Sequence, residues 1–148
     1  MGTCFLFGHR NCPESLESAI YDAALQHYLS FGIREYVVGD VRYGTFNRIA
    51  QSALRSVKMQ YPDIRLTLLL YYLPSRGDFA LPNGFDSSTY PPLENTPKQL
   101  AIIQANQYTV RSASSLICYV RHPGNARKLL DYANSRIPSL PITNIGSV

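Results

Sequence analysis

The sequence predicts an α/β domain: a mostly parallel sheet of four to five strands with helices on both faces, in three layers. Two observations carry that expectation. Apolar runs short enough to be strands alternate with longer segments of helical spacing along the whole chain, and such alternation implies parallel strands joined by crossover helices. The runs also lack polar alternation, as strands buried on both faces do. The 148 residues, 45% hydrophobic and 16% charged, suffice for one domain with a real core and exclude a disordered or fibrous chain.

The first strand is Cys4-Phe5-Leu6-Phe7, which stops at Gly8-His9-Arg10. Pro13 suits a first helical turn, with Asn11 as a capping candidate and Glu14 and Glu17 favouring the helix dipole. Leu16, Ala19, Ile20, Ala23, Ala24 and His27 keep helical spacing, and Gly32 fits the helix end. His27, on that apolar face, reads as a core histidine. A second strand, Glu35 to Val38, ends at Gly39-Asp40. The Gly-punctuated loop Val41-Arg42-Tyr43-Gly44-Thr45 follows, with Thr45 as the expected N-cap. Phe46, Ile49, Ala50, Ala53, Leu54, Val57 and Tyr61 then give the cleanest helical period, closed by Pro62-Asp63.

The third strand spans Ile64 to Leu73. Residues 74 to 96 hold four Pro before the next helix, two Gly and three acidic residues, and read as one long loop. Thr96-Pro97 starts a helix that runs through Leu100, Ile103 and Tyr108 toward Arg111. A fourth strand, Leu116 to Val120, ends in Arg121-His122-Pro123-Gly124. The last helix puts Ala126, Leu129, Leu130 and Ala133 on one face. Pro141 to Ile145 reads as a short edge strand, because Pro138 and Pro141 disfavour a central one. No repeat and no domain boundary interrupts residues 1–148.

In a parallel sheet the carboxyl ends of all strands share one edge, where such folds bind ligands. That edge collects Gly8, His9, Arg10, Gly39, Asp40, Arg42, Gly44, Thr45, Phe46, Asn47, Arg121, His122, Gly124 and Asn125. Glycines admit a ligand to backbone amides. Helix starts near Pro13, Phe46 and Asn125 add partial positive charge, and Arg10, Arg42 and Arg121 add full charges. The sum is an anion site suited to phosphate or pyrophosphate. Asp40, Asn47 and Glu94 are candidates for ribose hydroxyls or base edges. No G-x-x-x-x-G-K-[ST] and no G-x-G-x-x-G after the first strand is present, so neither a Walker-type NTPase nor the ordinary dinucleotide fingerprint is indicated.

Catalytic and metal signals are sparse. His9 and His122 have no marked nucleophile as partner, so no triad is assigned. They lack a third ligand, so no metal site is read, and no cofactor is called for. The three Cys form no C-x-x-C. Cys4 and Cys118 fall in apolar runs as core thiols, and Cys12 falls at a helix start that favours thiolate. Net charge is +4 with a pI near 9.1, modestly basic and without a Lys/Arg cluster for nucleic acid. Eleven Tyr and no Trp supply amphipathic rings, most of them half-buried surface. No secretory leader is visible, and no run approaches the ~18 apolar residues of a membrane span, so a cytoplasmic protein without membrane contact is expected.

These residues resemble the SLOG superfamily, in particular its YpsA-like branch of bacterial and phage proteins. The resemblance rests on Cys4-Phe5-Leu6-Phe7-Gly8-His9-Arg10, Gly39, Gly44-Thr45-Phe46-Asn47 and Lys58-x-x-Tyr61-Pro62-x-Ile64. It continues in Tyr90-Pro91-Pro92-Leu93-Glu94, Ala101-Ile102, Asn106, Tyr119-Val120 and Gly124-x-Ala126. It implies a Rossmann-like fold, a pocket for a nucleotide-derived small molecule (ADP-ribose-like or a nucleoside phosphate), and pairing into a homodimer or higher homo-oligomer. The distantly related LOG enzymes cleave nucleoside monophosphates with Pro-Gly-Gly-x-Gly-Thr-x-x-Glu. Here the stretch is Pro123-Gly124-Asn125-Ala126-Arg127-Lys128, without the Gly run or the Glu, which argues against LOG-type hydrolysis. Asn47, and Ser114-Ser115, stand where the family commonly has Asp. Sensing or sequestering a phosphorylated nucleotide is therefore the leading expectation. A nucleotide hydrolase or transferase using Glu94 is the alternative, and DprA-like single-stranded DNA binding is a second one, disfavoured by the missing basic stripe.

Overall fold

The computed structural model describes residues 2–73, 79–93 and 95–147. Six strands form one all-parallel sheet: β1 (Gly2–Gly8), β2 (Ile33–Gly39), β3 (Arg65–Leu69), β4 (Ser87–Thr89), β5 (Ser115–Tyr119) and β6 (Ile142–Asn144). Four α-helices cover it: α1 (Leu16–Phe31), α2 (Thr45–Gln60), α3 (Ala101–Ser112) and α4 (Asn125–Arg136). This is a Rossmann-like three-layer sandwich, with one strand more than the sequence predicts.

Strand order across the sheet is β4-β3-β2-β1-β5-β6. The chain moves one way from β1 to β4, then crosses back to lay β5 and β6 on the other side of β1. Right-handed crossovers made in opposite directions put their helices on opposite faces. Accordingly α1 and α2 pack on Cys4, Leu6, Tyr36, Val38, Leu66, Leu68 and Ile117. The other face, Phe5, Phe7, Val37, Leu69, Leu116 and Cys118, packs on α3 and α4. Successive residues of each strand feed opposite cores, which is why both parities had to be apolar.

The additional strand, β4, lies inside the stretch expected to be loop. Ser87-Ser88-Thr89 carries no apolar signal because it is a partly exposed edge. It is held instead by Asp86. The Asp86 amide donates to the Leu66 carbonyl, and its carboxylate accepts from the Leu66 amide at 2.8 Å and from Lys58. Of the predicted loop, residues 74–78 and Glu94 lie outside the described residues.

Several details differ from expectation, among them a third strand that ends at Leu69 rather than Leu73 and an α3 that starts at Ala101 rather than Thr96-Pro97. Regular α1 starts at Leu16 rather than near Pro13, since the Leu16 and Glu17 amides close tight turns onto the Pro13 and Glu14 carbonyls. Asn11 does not cap it. Thr45 is the first residue of α2, and Gly44 holds the N-cap position. The stretch through Leu100, Ile103 and Tyr108 faces solvent, while Ala101, Ala105, Thr109 and Val110 face the sheet. His27 lies in the core as expected and is fully buried, with its ring nitrogens 2.8 Å from the hydroxyls of Ser115 and Thr143.

Candidate functional site

A cavity of about 420 Å³ opens at the carboxyl edge of the sheet, between β1 and β5, where the strand order reverses. Crevices at this reversal are the usual ligand sites of open parallel sheets, because the flanking loops diverge to opposite faces. Gly8, His9, Arg10, Phe46, Asn47, His122, Gly124 and Asn125 line it, all of them expected from the sequence. Arg10, Arg42, Gly44 and Thr45 line a smaller adjoining cavity of about 260 Å³, together with Arg48.

Gly39, Asp40 and Arg121, also expected at this edge, line neither cavity. A Cβ on Gly39 would sit 2.9 Å from both the Asn47 amide nitrogen and the Tyr71 hydroxyl. Asp40 caps the turn Val41–Tyr43 through the Arg42 amide at 2.9 Å and pairs with the Arg42 guanidinium at 3.3 Å. The Arg121 backbone amide bonds to His9, as described below. Of the three helix starts expected at this edge, α2 and α4 reach it. The start of α1 instead borders a separate groove lined by Glu14, Ser15, Glu17 and Tyr21. Glu94 lies outside the described residues.

The anionic end of the cavity is built by the turn ahead of α4. Gly124 takes φ 147°, a conformation that side chains rarely adopt, and a Cβ there would meet nothing within 4 Å. No side chain caps α4, and the amides of Asn125 and Ala126 have no acceptor among the described residues. Bare amides at a helix start, with the dipole behind them, attract anions. Arg10 is exposed at the same mouth and forms no ion pair among the described residues.

His9 closes the floor. Its ring is 6% exposed and lies parallel to His122, with centroids 3.6 Å apart. Its Nε2 accepts from the Arg121 amide at 2.8 Å and the His122 amide at 3.3 Å. Burial, then His122, then Arg127 hold its pKa below the ordinary value. Neutral His9 thus keeps its proton on Nδ1.

The opposite end is aromatic and amide-lined, and sequence reasoning missed most of it. Tyr43 and Tyr71 meet edge-to-face at 4.9 Å, with Ile102 and Leu129 completing the wall. The Tyr71 hydroxyl donates to Asn106 Oδ1 at 3.2 Å, and burial pushes that phenol well above its usual range. Asn47 Nδ2 donates to the Asp40 carbonyl at 2.9 Å, which leaves Oδ1 as a further acceptor. Asn106 had one available signal: it is a polar residue one turn past Ile102 and adjacent to the buried face of α3. Tyr71 was missed because the third strand was expected to run to Leu73, whereas β3 ends at Leu69 and leaves Tyr71 just past its carboxyl end.

No Asp or Glu lines the main cavity among the described residues. Neither do the thiols offer a nucleophile there. Burial raises Cys4 and Cys118 to about 12, and burial followed by Glu14 raises Cys12, contrary to the acidified thiol that a helix start would favour. Among these residues no group of three or more His, Cys, Asp or Glu could hold a metal ion, and no helix is long and apolar enough to cross a membrane. No protein-family model matches the chain, and a search of curated proteins finds no significant match.

Proposed function

We propose that the chain is a binding module, a sensor or sequestering protein, for a phosphorylated nucleotide-derived small ligand. One observation carries this reading. One nucleotide-sized cavity joins an uncapped helix start and Arg10 to a wall of two tyrosines and two asparagines, and among the described residues Arg10 has no ion pair and no carboxylate lines the cavity. Phosphate oxygens would accept from the amides ahead of α4 and from Arg10. A base would lie against Tyr43 or Tyr71 and read Asn47 Oδ1 and the Asn106 amide. The SLOG resemblance leads to the same ligand class and is part of the proposal, as is a homodimer with twice the 16.6 kDa chain mass.

Calorimetry against ADP-ribose, cyclic ADP-ribose isomers, NAD and nucleoside monophosphates tests it. At least one should bind, and Arg10→Ala should weaken that binding by roughly ten- to a hundredfold, as loss of a charge-assisted bond of about 1.5–3 kcal/mol implies. Folded protein that binds none of them sinks the reading. The hydrolase alternative rests on Glu94, and no geometry among the described residues favours it.

A further inference from the structure

The loop that presents the α4 amides is held to β1 by one side chain. His9 Nε2 receives the amides of Arg121 and His122, and the His9 amide donates to the Tyr119 carbonyl at 3.1 Å. Residues 120–124 therefore leave β5 already fastened to the end of β1. A proton on Nε2 would turn this acceptor into a donor facing two other donors. The latch and the imidazolium are mutually exclusive.

The surroundings are uniform in sign. His122 stacks on the ring, Arg127 faces it from α4, Arg10 and Arg121 are adjacent on their loops, and Tyr119 meets it edge-on at 5.7 Å. No carboxylate among the described residues pairs with it. Nothing there would compensate an imidazolium.

We propose that His9 is a positioning residue whose neutral Nε2 fastens the 121–124 loop, so that the anion cradle ahead of α4 exists only while His9 is unprotonated. Acid then weakens anion binding, the reverse of what added positive charge alone would do. The affinity arm of this inference rests on the proposed anion site, whereas the latch itself does not.

Nitrogen-15 NMR of the ligand-free protein tests the latch. His9 should show the Nδ1–H tautomer near neutral pH, and the Arg121 amide resonance should move with the His9 titration. An Nε2–H tautomer, or an Arg121 amide indifferent to that titration, overturns the proposal. Calorimetry with ADP-ribose, whose pyrophosphate keeps its charge across this range, reads the consequence. Affinity should fall by up to about tenfold per pH unit below the His9 midpoint. His9→Ala should weaken binding at neutral pH. His9→Gln, whose Oε1 accepts an amide without titrating, should recover part of that loss and flatten the profile. Affinity that rises on acidification, or a wild-type profile retained in the Gln variant, overturns it. If ADP-ribose binds at no pH, the ligand reading fails while the NMR result still decides the latch.

Discussion

Gly8, Gly44 and Gly124 punctuate the same edge of the sheet, yet they are required for different reasons, two by close contacts and one by its backbone conformation alone. A Cβ on Gly8 would stand 2.6 Å from the buried Phe46 ring, so this glycine seats α2 against β1. Gly44 has φ 141°, and its Cβ would meet the Arg10 carbonyl at 2.9 Å, beside the 2.7 Å bond from the Thr45 amide to that oxygen. Only Gly124 has open space where a side chain would go. Gly8→Ala should therefore cost about 1–3 kcal/mol, the range for overpacking a filled core, read as a lowered denaturant midpoint with unchanged slope. Gly124→Ala has no such clash to relieve and should cost about 1–3 kcal/mol in that titration by way of its φ alone. The sequence shows three equivalent Gly signals here, because it records the missing side chain and not what occupies its place. Asp40 is a parallel case: a carboxylate at a strand end looks available until its cap and its Arg42 pair are seen.

Among the elements, α1, β5 and β6 are joined by His27, whose ring nitrogens meet Ser115 and Thr143 in a fully buried setting. Burial lowers its pKa to about 4, from an ordinary 6.5. The folded state thus favours the neutral ring. The associated stability is fully present above about pH 6.5 and is lost as pH falls from there toward 4. Denaturant midpoints should decline across that window, and His27→Gln should remove much of the decline, leaving the smaller part due to His9. An equal slope in the variant would contradict the assignment. The apolar periodicity placed His27 on the core side of α1, while its two partners, 88 and 116 residues away in sequence, had no local signature. β4 was illegible for a related reason. Three small polar residues at an edge carry no periodicity, and the Asp86 contacts that hold them reach back to Leu66 and Lys58.

At the scale of the whole molecule, the reversal of strand order between β1 and β5 opens the crevice, and Arg10 with the amides ahead of α4 gives its mouth a positive sign. Binding of an anionic nucleotide there should weaken by several-fold as salt rises from about 0.05 to about 0.5 M, over which screening shortens severalfold in reach. Calorimetry with ADP-ribose at several ionic strengths checks this, and salt-independent affinity would place the ligand's charge elsewhere. The sequence by itself determined the layered α/β class, five of the six strands, the four helices and much of the pocket's cationic rim. Those features follow from local periodicity and from one rule, that parallel strands share a carboxyl edge. Tertiary structure alone decided which of those residues face the cavity. Thr3 to Arg10 reads as a buried strand and a turn; only the arrival of β5 and its loop brings the amides of Arg121 and His122 onto His9 Nε2. Side chains that meet across more than a hundred residues are selected by the packing of two loops, and no pattern within either loop encodes the meeting.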